Sequence, residues 1–132
     1  MKALPSTVLI VDDDKDICNN VSDILDLMGY RTSVAHDGPS ALKLVQSEHF
    51  DVALLDYRMP GMDGVTLYRK IRQQQPETSA FLVTAHLGTG TTHTVDTEQL
   101  EVILKPVDFD SMLSRIKDAI SRPRDSFNRG NS

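Results

Sequence analysis

The sequence predicts an α/β fold in which a doubly wound, five-stranded parallel sheet carries helices on both faces. Two observations lead there. Short apolar runs alternate along the chain with segments whose apolar residues recur at helical spacing. The strongest runs are continuously apolar rather than alternating, as expected of strands buried on both faces. With 132 residues, 39% of them hydrophobic and 25% charged, the chain has a globular composition and is long enough to bury a core without staples.

The elements follow in order. TVLIV at 7–11 is a β-branched run and the first strand. Ile17, Val21, Ile24, Leu25 and Met28 share one face of a helix, and Gly29 is placed to end it. RTSVA at 31–35 is a weaker, edge-like strand. Asp37, Gly38 and Pro39 then open a helix through Ala41, Leu42 and Val45, with Pro39 in its first turn. DVALLD at 51–56 is a third strand, and the Pro- and Gly-dense YRMPGMDG at 57–64 is a loop. A helix over 65–75 stops at Pro76. AFLVTA at 80–85 and VILK at 102–105 are the last two strands. Phe109, Met112, Leu113, Ile116 and Ile120 line a closing amphipathic helix.

HLGTGTTHTVDTEQ at 86–99 stands where alternation demands a fourth helix, yet its glycines and threonines make a poor one. The expectation there is a weak or mobile helix that orders upon phosphorylation or partner binding. Residues 1–121 are read as one domain and 122–132 as a flexible tail or linker.

Composition narrows the function classes. A net charge of −5 argues against a nucleic-acid-binding surface in this segment. Cys18 is the single cysteine, so no internal disulfide forms, and a reducing, cytoplasmic setting is expected. It is read as a small packing residue. Pro5 and Ser6 interrupt any signal-peptide pattern, and no apolar stretch reaches membrane-spanning length.

The polar residues that matter fall at strand ends: Asp12 and Asp13 after the first strand, Asp56 at the third, Thr84 at the fourth and Lys105 at the fifth. Open parallel sheets bind ligands at the carboxyl ends of their strands. Clustered carboxylates repel unless a cation joins them, and a hard dication such as Mg2+ suits oxygen ligands. Lys105 supplies a compact positive charge, Thr84 a hydroxyl donor, and Asp56 a carboxylate able to form an acyl phosphate. Asp14 is assigned to capping the following helix.

VLIVDDD, LLDYRMPGMDG, VTA and LKP, in that order, resemble the receiver domain of two-component response regulators over roughly residues 6–121. The resemblance implies a flavodoxin-like (βα)5 sheet of order 2-1-3-4-5. It implies that Asp56 accepts a phosphoryl group from a histidine kinase or histidine phosphotransfer protein. Asp12, Asp13, Asp56 and the backbone carbonyl of Arg58 would hold Mg2+, with Asp13 the more direct ligand of the acidic pair. Thr84 and Lys105 would contact the phosphoryl group, Pro60 and Gly64 shape the wall of the site, and the Lys105–Pro106 bond is usually cis in the family. An effector domain or downstream protein would read the state. The chain would catalyse only its own phosphorylation and dephosphorylation, and would touch neither nucleic acid nor membrane directly.

Departures from the family pattern are specific. Val102 stands where receivers often carry an aromatic, so rotation of a ring there cannot accompany signalling. Arg58 and His86 sit two residues past Asp56 and Thr84, at positions that tune acyl-phosphate lifetime in receivers. His36, His49 and His93 show no metal-ligand spacing and are read as surface residues. Two other functions fit the same residues: a degenerate receiver serving as a protein-binding module, and a Mg2+-dependent phosphatase with an aspartyl intermediate. Arg58 speaks against the phosphatase, which commonly has a second acid there.

Overall fold

The computed structural model describes residues 6–85 and 100–121. The described elements are β1 (Thr7–Val11), α1 (Lys15–Leu27), β2 (Arg31–Ala35), α2 (Gly38–Ser47), β3 (Val52–Asp56), α3 (Gly64–Gln74), β4 (Ser79–Thr84), β5 (Glu101–Leu104) and α4 (Phe109–Ser121). All pairings are parallel, and the strand order is β2-β1-β3-β4-β5. The helix expected within 86–99, His86, His93 and the 122–132 tail lie outside the described residues.

Alternation along the strands divides the core into two layers. Leu9, Val11, Ala53, Leu55 and Leu82 pack with Ala41 and Val45 of α2 and Leu67 and Ile71 of α3. Val8, Ile10, Val52, Leu54 and Phe81 pack on the opposite face with Cys18, Val21 and Leu25 of α1 and Met112 and Ile116 of α4. β1 and β3 are the continuously apolar strands, and both lie inside the sheet, covered on each face. β2, the weaker pattern, is an edge.

Chain reversals use the expected chemistry. Met28 caps α1, and Gly29 follows with φ 95, a left-handed conformation that glycine adopts without strain. Asp14, Asp37 and Asp63 are N-caps of α1, α2 and α3, each accepting backbone N–H groups of the first turn. Asp14 therefore starts a helix, as its position suggested. Among the described residues, no helix is long and apolar enough to cross a membrane.

Candidate functional site

Because the strands are parallel, their carboxyl ends share one rim of the sheet, and the polar residues that follow them converge there. Asp12, Asp13 and Asp56 each offer a carboxylate oxygen within 4.8 Å of the others. Asp12 is 4% and Asp56 6% exposed, whereas Asp13 faces solvent. Lys105, one residue past β5, donates from Nζ to Asp12 Oδ2 at 3.1 Å and to Asp56 Oδ1 at 3.2 Å. Thr84 is 2% exposed at the end of β4, and its carbonyl accepts the Lys105 N–H at 2.8 Å. The Lys105–Pro106 peptide is cis.

The charges are unbalanced. Three ionised carboxylates against one ammonium leave two negative charges in a site that is partly removed from water. Burial, then the charge of Asp12, pushes the Asp56 carboxyl up to about 6, against the opposing pull of Lys105. Burial acts to lower the Lys105 pKa, but the hydrogen bond and charge of Asp12, joined by those of Asp56, outweigh it and leave it raised. The donor set is all hard oxygen, its residual charge matches a dication, and Asp13 is open to solvent; these features fit Mg2+.

The wall of the site depends on close backbone approach. A Cβ on Gly64 would meet the Asp56 carbonyl oxygen at 2.5 Å and Leu82 Cδ1 at 2.7 Å, so only glycine lets α3 start so near the aspartate. The Gly64 N–H donates to the Tyr57 carbonyl at 2.9 Å, closing the loop. Arg58 is exposed on that loop and, with Tyr57, Met59, Pro60 and Asp63, lines a cleft of about 440 Å³. Met62 folds back on α2, where a Cβ on Gly38 would meet its sulfur at 2.6 Å.

Two residues take on more than their sequence reading. His36 is not a free surface side chain: it is half-buried, with Nδ1 3.0 Å from the Asp12 carbonyl oxygen. Cys18 packs in the core as expected, but its thiol also donates to that carbonyl at 3.3 Å. Spacing could not pair residues 12, 18 and 36; the β1–β2 register, with the Asp12 N–H on the Ala35 carbonyl, brings them together. His49 is exposed at the other end of the sheet, near Asp51 and Glu77.

A five-stranded parallel sheet of this order with an acidic cluster at its carboxyl rim defines a class, and comparison with known proteins agrees. Residues 8–117 match the response regulator receiver domain family, and the chain belongs to it. It is a receiver domain of two-component signalling with a flavodoxin-like fold. The transcriptional regulatory protein ZraR of Klebsiella oxytoca is 31% identical over 118 residues, 89% of this chain and 27% of that protein. This chain thus spans about a quarter of that relative's length. A CheY-like receiver domain protein from Methanospirillum hungatei JF-1 superposes with a TM-score of 0.84 at 28% identity, covering 88% of this chain and 94% of that one. The BeF3-activated receiver domain of DrrB gives 0.81 at 28% identity, covering 89% and 99%.

Proposed function

We propose that the chain is a phosphoryl-accepting switch, with Asp56 as the acceptor and Mg2+ held by Asp12, Asp13, Asp56 and the Arg58 carbonyl. The observation that carries this reading is the Asp56 carboxylate, nearly buried beside two further carboxylates yet bonded to Lys105 at 3.2 Å. A bound dication would supply electrostatic stabilisation of the charge on the transferring phosphoryl group. Asp56 attacks the phosphorus of a phosphohistidine, forming an O–P bond as the N–P bond breaks. The N–P electron pair stays with the partner's imidazole, which leaves. Lys105 then pairs with a phosphoryl oxygen in place of a carboxylate oxygen, and the Thr84 hydroxyl donates to another. The phosphodonor is a histidine kinase or histidine phosphotransfer protein, and the reader is an effector domain or a separate downstream protein. The cytoplasm is the compartment that suits such partners.

Both phosphorylation and loss of the phosphoryl group are reactions of the chain on itself, without turnover of a metabolite. Incubation with Mg2+ and acetyl phosphate, read by intact mass, should add one phosphoryl group in wild type and none in Asp56→Asn. Release of phosphate from many phosphomonoesters would point instead to a phosphatase. Failure to form an adduct or bind beryllofluoride would point to a binding module.

A further inference from the structure

Every polar atom of Asp12 is engaged. Its N–H donates to the Ala35 carbonyl at 3.2 Å, Oδ1 accepts the Asp14 N–H at 2.9 Å, and Oδ2 accepts Lys105 Nζ at 3.1 Å. Its carbonyl oxygen has two side-chain partners from two different elements: His36 Nδ1 at 3.0 Å, just past β2, and Cys18 Sγ at 3.3 Å, in α1. The two partners lie 3.7 Å from each other. A carbonyl oxygen only accepts, so His36 carries its hydrogen on Nδ1 and Cys18 remains a thiol.

Asp13 is the exposed member of the acidic cluster, so little packing surrounds its side chain, and its backbone sets the point from which the carboxylate reaches out. The peptide that joins it to Asp12 carries the doubly held carbonyl. We infer that His36 and Cys18 are positioning residues for the metal site: they fix the Asp12–Asp13 peptide plane and thereby aim the Asp13 carboxylate at the cluster. This inference rests on the Mg2+ reading above and deepens it. The clamp makes no contact with the reacting atoms; it touches the Asp12 carbonyl and acts on Asp13 through the peptide they share. The imidazole N–H is the stronger donor and the thiol the weaker, so His36 dominates. Partners of this kind are worth about 10- to 100-fold in metal affinity.

The chemistry of the donor gives a sharp test. An asparagine places its amide nitrogen where His36 has Nδ1, whereas a glutamine places it where the ring has Nε2. Mg2+ is titrated calorimetrically into the full chain as wild type, Asp13→Asn, His36→Asn, His36→Gln, His36→Phe and Cys18→Ala, with thermal melts recorded in parallel without metal. His36→Asn should bind within about twofold of wild type, while His36→Gln and His36→Phe bind about tenfold more weakly and Cys18→Ala about threefold more weakly. Should His36→Phe not fold, the Asn–Gln pair decides, since both are polar amides. Equal affinity of His36→Asn and His36→Gln overturns the positioning role while leaving the metal site standing. Wild-type binding that is absent, or unchanged in Asp13→Asn, overturns the Mg2+ reading and this one with it.

Discussion

Asp56 lies nearly buried beside Asp12, and those two facts outweigh the ammonium of Lys105 and lift its pKa from 3.8 to about 6. A carboxyl that holds its proton more tightly when folded stabilises the fold fully below 3.8 and loses that contribution as pH rises through about 6. Above that window the ionised group costs the metal-free protein stability. Asp56→Asn carries no charge, so it should melt higher than wild type near pH 8 by about 1–2 kcal/mol of stability, the gain fading toward about pH 4. Melts without metal across that range check the sign; a gain that is constant with pH, or a loss near pH 8, contradicts it.

Helix starts and helix ends are governed by different residues. At the functional rim, Asp14, Asp37 and Asp63 cap α1, α2 and α3 through bonds to the first-turn amides. At the opposite rim a single buried side chain joins several elements. Gln75, the C-cap of α3, donates from Nε2 to the carbonyls of Val45 at 2.9 Å and Glu48 at 2.6 Å. Its Oε1 accepts the Phe50 N–H at 2.9 Å and the Thr78 hydroxyl at 3.0 Å. Gln75→Ala would strand buried backbone groups that water cannot reach, so denaturant unfolding should show a loss of about 2–4 kcal/mol. Phosphorylation of Asp56 in the folded fraction should be unchanged, because the clasp sits at the far end of the strands. A loss under about 0.5 kcal/mol would show that the amide contributes no net stability.

At the scale of the molecule, the site exists only when β1, β3, β4 and the segment after β5 are assembled side by side. An ion that binds the folded chain alone stabilises all of it. Mg2+ at about 100 times its Kd should add about 2.7 kcal/mol, moving the melt upward as one transition. Asp13→Asn should abolish the shift. A split transition, or an equal shift in that variant, would show that the ion binds elsewhere. Protons compete for the same oxygens, so the shift should shrink as pH falls below about 6.

Element type and order were legible in the sequence because buried strands and amphipathic helices have different periods, and because aspartate, proline and glycine mark their ends. The site was legible because parallel strands place their carboxyl ends together, so Asp12, Asp56, Thr84 and Lys105 could be grouped without a structure. Boundaries moved by about one residue, which is the scale of fraying at element ends. Asp51 lies before β3 and Lys105 just beyond β5. What the sequence could not supply was anything that depends on contacts between neighbouring elements. The clamp of His36 and Cys18 on the Asp12 carbonyl, the clasp of Gln75 and the seat of Met62 on Gly38 are all of this kind. Each joins residues with no shared period, through hydrogen bonds or close approaches that only the packed register creates. Sequence by itself determined the alternation of strands and helices and the carboxylates at the rim, since these follow from periodicity and residue chemistry, while the lateral order of the strands was implied by the resemblance to receiver domains. Tertiary structure alone decided how those carboxylates are held, since orientation is set by partners distant in the chain.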